Sequence, residues 1–115
     1  MKKDRDLEIS SVEEMVLTIL RRSELYGLEI INAVQEATQG KRRLGFGSLY
    51  PALHQLEEKG MVKGRWGDET PKERSGARRR YYKITGLGQA ALREVDAVRL
   101  RLAEWNRAWG GGLVT

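Results

Sequence analysis

The sequence predicts a small, mainly helical α+β domain that ends in a long helix. Three observations carry this expectation. Apolar residues recur at helical spacing in four segments. Two short runs rich in strand formers separate the third segment from the fourth. Gly, Pro and Ser mark the stretches between them. At 115 residues the chain supports one domain, and a 40% apolar content supplies a core of modest size.

The first segment opens on Ser10 and Ser11, followed three residues later by Glu13 and Glu14. Either pair fits a capping box, in which a hydroxyl and a carboxylate satisfy orphan amides at the helix start. Val12, Met15, Val16, Ile19 and Leu20 continue at helical spacing and predict a helix over about 11–22. Ser23 to Tyr26 breaks it. A second helix is expected over about 26–38, with Ile30, Ile31 and Val34 inward and Gly40 as terminator.

Lys41, Arg42 and Arg43 lead through Gly45-Phe46-Gly47-Ser48 into a third helix over about 47–59. Leu49, Leu53 and Leu56 form its inward stripe, leaving Ser48, His54, Gln55 and Glu58 towards solvent. Pro51 is placed near the first turn, where a missing amide is best tolerated, and Gly60 ends the helix. Met61 to Trp66 reads as a strand, Gly67 to Gly76 as a long loop with a projecting tip, and Arg80 to Ile84 as the returning antiparallel strand. Thr85 caps a last helix over about 86–109, some 24 residues and roughly 36 Å long. Along it Ala91, Val95, Val98, Leu102, Trp105 and Trp109 recur at alternating spacings of four and three, a heptad seam. Gly110-Gly111-Gly112 stops regular structure.

The formal charge of +5 is unevenly spread: residues 41–83 carry twelve basic and five acidic groups, while the rest of the chain is slightly acidic. Zero cysteine excludes a disulfide scaffold, a thiol nucleophile and every zinc site that needs sulfur. The single histidine, His54, leaves no multi-His metal site. Gly45-Phe46-Gly47 lacks the third glycine of a dinucleotide loop, and no Gly-Lys-Ser/Thr phosphate loop is present. No enzyme, metal or cofactor is therefore expected. No apolar run approaches the roughly 18–20 residues of a membrane span, and Met1 to Asp6 leads into no signal-peptide stretch. The expectation is a soluble, cytoplasmic protein.

Three helices followed by a basic two-stranded hairpin is the order of a winged helix-turn-helix. A helix with small and polar groups on one face fits the major groove, which is roughly 12 Å wide, and an Arg-rich hairpin suits the flanking backbone or minor groove. Gly47 to Gly60 resembles the recognition-helix signature of the PadR family of transcriptional regulators. Arg78 to Thr85, with Gly88 and Ala91-Leu92 beyond, resembles that family's second wing strand and the start of its next helix. Tyr26-Gly27-Leu28-Glu29-Ile30 resembles its second-helix start, so the likeness covers about residues 12–105. Phe46 stands where many relatives have Pro, which puts the start of the third helix in question. The Gly45 to Pro51 run with Arg65 to Glu69 is also similar to a clock-modifier branch of the family in cyanobacteria.

The resemblance implies a winged-helix homodimer that represses transcription, of the shorter kind that pairs through one C-terminal helix. It also implies room for a planar aromatic effector near the dimer interface, although core packing is the plainer task for Trp105 and Trp109. The expected organisation is a flexible N-terminus (1–9), a DNA-binding domain (10–85), a dimerisation helix (86–109) and a flexible tail (110–115). Expected DNA contacts are Arg42, Arg43, Ser48, Tyr50, Pro51, His54 and Gln55, with Lys72, Arg74, Arg78 and Arg79 on the wing. Each has a plainer reading: Ser48 as a cap, Tyr50 as core, His54 as a solvated side chain, Lys72 and Arg74 as exposed charge. Alternation along the strand turns at least one of Arg78, Arg79 and Arg80 towards the helices, in a salt bridge, and Tyr81 and Tyr82 are read as packing residues. The expected dimer seam is Ala91, Val95, Val98, Leu102, Trp105 and Trp109, with the alternative that it packs wholly on its own domain. A second function class stays open: a protein-interaction module whose basic face meets an acidic partner.

Overall fold

The computed structural model describes residues 7–68 and 78–110. Helix α1 (Ser11–Ile19) starts on the first of the two possible capping boxes. The Ser10 hydroxyl accepts from the Glu13 amide at 3.1 Å, and the Glu13 carboxylate accepts from the Ser10 amide at 2.7 Å. The helix is three residues shorter than the periodicity allows. Leu20 still faces the core, but its backbone has left the helix. Leu7 and Ile9 pack against the core, so the ordered body begins before Ser10 and only residues 1–6 of the expected flexible N-terminus fall outside the described residues.

The break after α1 holds a strand that periodicity does not reveal. Strand β1 (Leu25–Tyr26) pairs with the far strand of the hairpin, so the sheet has three strands rather than two. Helix α2 (Gly27–Ala37) follows at once, its start satisfied by Glu29 accepting from the Tyr26 amide at 3.1 Å. It ends in a left-handed turn at Gln39 and Gly40, with the Gly40 amide donating back to the Gln35 carbonyl at 2.7 Å.

Helix α3 (Phe46–Glu58) takes Gly45 as its N-cap, so Phe46 occupies the first helical position, where proline is otherwise favoured. The phenylalanine therefore costs the helix no length. Pro51 lies deeper than expected, in the second turn, where it cannot donate to the Gly47 carbonyl. Leu49, Leu53 and Leu56 are fully buried against Val16, Leu17 and Ile30.

Strands β2 (Val62–Trp66) and β3 (Arg80–Ile84) run antiparallel, with Val62 opposite Ile84 and Trp66 opposite Arg80, and the sheet order is β1-β3-β2. The alternation separates the two tyrosines. Tyr82 is buried in the core, whereas Tyr81 lies on the outer face, edge-on to Tyr26 with ring centroids 5.4 Å apart. Helix α4 (Gly86–Trp105) is capped by Thr85, whose hydroxyl accepts from the Gly88 amide at 3.2 Å and donates to the Gly60 carbonyl at 2.6 Å. That one residue ties the end of α3, the hairpin and the start of α4 together. Gly88, Ala91 and Leu92 bury into the body, and Arg99 reaches Glu14 of α1 at 2.6 Å. Every side chain from Val98 to Trp109 is exposed. The α-helix stops at Trp105 and continues as a wider π-turn over Asn106–Gly110.

Candidate nucleic-acid interface

At 3.6 residues per turn, the outward face of α3 has a centre and two shoulders. Gly47, Pro51, His54 and Glu58 run along the centre, Ser48 and Gln55 along one shoulder, and Phe46 and Tyr50 along the other. All eight are exposed. Ser48 is not the cap, because Gly45 is, which leaves its hydroxyl free of that duty. His54 Nε2 lies 3.4 Å from Glu58 Oε2, one turn on, an ion pair whenever the imidazole is protonated. Tyr50 does not belong to the core, although its hydroxyl end rests on α2 where Gly27 has no side chain to obstruct it. Its ring stacks on Phe46 with centroids 5.7 Å apart and planes 13° from parallel.

Arg42 and Arg43 are exposed on the turn just ahead of α3. Two anchors fix that turn: Leu44 is buried, and the Arg42 amide donates to the Thr38 hydroxyl at 3.0 Å. The two arginines therefore lie three and two residues ahead of the Gly45 cap, and the partial positive charge of the helix N-terminus adds to theirs.

On the wing, the strand alternation sends the three arginines to two sides. Arg80 turns towards α3 and pairs with Glu57 at 3.0 Å, the salt bridge that the sequence leads one to expect. The Glu57 hydrogen bond holds the Arg80 guanidinium above its already high ordinary pKa. Arg78 shares that side, and both guanidinium groups lie over the half-exposed Trp66 ring, at 5.2 and 5.3 Å from its centroid. Arg79 lies on the opposite face, 4.7 Å above the Tyr26 ring. Below it Arg65 covers Tyr81 at 5.0 Å and grips Glu24 through two hydrogen bonds of 2.9 and 2.7 Å. The Arg65 hydrogen bond draws the Glu24 pKa below the ordinary carboxylate value. Lys72 and Arg74 lie outside the described residues.

The expected seam on α4 divides in two. Ala91 has no exposed surface and sits in the core of its own chain, so it cannot meet a partner. Val95 is half-buried, while Val98, Leu102, Trp105 and Trp109 are 37%, 65%, 57% and 60% exposed. Leu7, Ile9, Val95, Val98 and Leu102 line an open groove of about 640 Å³ between the N-terminal segment and α4. Among the described residues there is no group of three or more acidic or histidine side chains able to hold a metal. No described helix is long and apolar enough to cross a membrane.

Residues 16–94 match the transcriptional regulator PadR-like family. The chain belongs to the PadR-like family of transcriptional regulators. It is 28% identical over 90 residues to an uncharacterised protein of Lysinibacillus sphaericus, covering 78% of this chain and 79% of that one. Among solved structures it is similar to a PadR-like transcription factor from Bacteroides fragilis, with 29% identity, a TM-score of 0.72 and coverage of 84% and 87% of the two chains. It shares its fold with Bacillus subtilis PadR in complex with operator DNA, at 21% identity and a TM-score of 0.64, over 76% of this chain and 47% of that one. PadR-like proteins are regulators of transcription and not enzymes.

Proposed function

We propose that this PadR-like chain is a cytoplasmic, sequence-specific DNA-binding repressor that grips a palindromic operator as a homodimer. The observation that carries the reading is the outward face of α3, where eight exposed residues, six of them with polar or aromatic side chains, are flanked by Arg42 and Arg43. Ser48, Tyr50, Pro51, His54 and Gln55 face the major groove. Arg42, Arg43, Arg78 and Arg79, together with Lys72 and Arg74, neutralise phosphates. The solved Bacillus subtilis relative in complex with operator DNA supports this use of the fold.

The homodimer rests on the exposed stretch of α4. Trp105 and Trp109 each offer about 150–250 Å² of largely apolar surface, and a two-fold pairing of Val95, Val98, Leu102, Trp105 and Trp109 covers it. The same pairing sets two copies of α3 side by side, as a palindrome requires. A planar aromatic effector would enter beside the groove at Val98 and Leu102.

Selection of bound fragments from a genomic library with the purified chain tests the reading. Enrichment of a palindrome, with affinity that falls linearly on a log–log salt plot, is the expected result. Fragments without common sequence, or affinity insensitive to salt, refute it.

A further inference from the structure

We infer that Phe46 recognises the 5-methyl group of a thymine in the major groove, making it a specificity determinant; the inference rests on the reading of α3 given above. Phe46 is the first helical residue of α3 and is 50% exposed, an unusual placement for an aromatic ring without a polar atom. It is also held in place. Its ring stacks on Tyr50, and the hydroxyl end of Tyr50 rests on the bare backbone of Gly27, so the pair is supported from α2. The glycines on either side, Gly45 and Gly47, face open space, and a Cβ at either would meet nothing within 4 Å. Gly45 and Gly47 themselves therefore place no side chain between a base edge and the backbone on either side of the ring.

The N-terminal residues of a recognition helix are the ones that meet base edges. Phenylalanine has nothing to donate or accept there, and the one apolar feature on the floor of the major groove is the thymine methyl. Contact between that methyl and the Phe46 ring removes both from water. It also discriminates thymine from cytosine, which carries no such group.

The test uses the enriched fragment from the library selection, with each thymine replaced in turn by deoxyuridine, a change that removes only the methyl. In the wild-type chain at least one replacement weakens binding about fourfold, the worth of one buried methyl-sized group. In Phe46→Ala, and in Phe46→Gln should the alanine variant be poorly folded, that same replacement has no effect. Both residues are good helix formers at an exposed first turn. A wild-type chain indifferent to every deoxyuridine overturns the inference, and so does a penalty that persists in both variants. A wild-type chain that enriches no sequence refutes instead the DNA-reading role of α3, a separate result.

Discussion

Gly27→Ala and Gly88→Ala add the same methyl group in the first turn of a helix, and the structure assigns them opposite outcomes. At Gly88 the new Cβ would collide with the Met61 carbonyl oxygen and stand 2.7 Å from Ile84 Cγ1. The carbonyl is not free to retreat, because it accepts from the Thr85 amide at 3.0 Å in the junction that joins hairpin to α4. Overpacking of this kind costs about 1–3 kcal/mol, and loss of the junction hydrogen bond about 1 more. The helix preference of alanine over glycine returns at most about 1 kcal/mol. Gly88→Ala should therefore lose about 2 kcal/mol, on the order of 10 °C in Tm for a domain of this size.

At Gly27 the obstacle is the tip of the half-exposed Tyr50 side chain, which can swing aside. Stability should stay within about 0.5 kcal/mol of wild type, while the displaced Tyr50 loosens its stack with Phe46. Urea unfolding followed by far-UV circular dichroism reads the first quantity, and affinity for the selected site reads the second. A Gly88→Ala chain as stable as wild type, or a Gly27→Ala chain destabilised equally, would refute this account of which neighbours can yield.

Three further outcomes are expected. Leu102→Asp with Trp105→Ala should give a monomer with weakened operator binding, and an intact dimer in sedimentation would contradict the seam. Arg42→Ala or Arg79→Ala should weaken all sequences alike and flatten the log–log salt slope by about one, whereas His54→Ala should relax sequence preference; matching losses in competition assays would show that the roles are not divided this way. Burial raises the Tyr82 pKa above the ordinary 10.0. The unfolded chain then ionises first, so the contribution of the neutral hydroxyl is complete below pH 10 and declines as pH rises towards the folded value. Tyr82→Phe should lose stability less steeply than wild type in alkali, and parallel unfolding curves would argue against a buried hydroxyl.

Much of this fold is legible in the residues. Ser10 with Glu13, the Leu49-Leu53-Leu56 stripe, and Thr85 ahead of α4 each specify local structure through interactions within a turn or two. What sequence leaves open involves a distant partner. Two residues, Leu25 and Tyr26, make no periodic pattern, and they become a strand only because β3 offers them hydrogen bonds. The heptad spacing from Ala91 to Trp109 marks one face of a helix without saying what covers it. The structure puts the chain's own core against Ala91 and open solvent against Leu102. In the same way alternation requires one wing arginine to face the helices, but only the register that sets Trp66 opposite Arg80 selects which. The exposure of Phe46 is equally closed to sequence, since only the position of the α3 cap at Gly45 and the packing of α2 decide which way the ring lies.

The outer stretch of α4 has a consequence for the amount of protein a cell must hold. Beyond Val98 and Arg99, which still touch the body of the domain, the helix from Leu100 to Trp109 stands exposed. Without packing to hold it, such a stretch keeps its helical form only through the turns before it and its own hydrogen bonds, and helical stability in proteins comes mostly from packing. In the proposed homodimer, ordering of this segment and the covering of Leu102 and Trp105 become a single equilibrium, with its midpoint set by concentration. Dilution would shorten the helix as well as separate the copies. On the proposed reading, a scarce regulator would release its operator through loss of structure at a point far from the DNA.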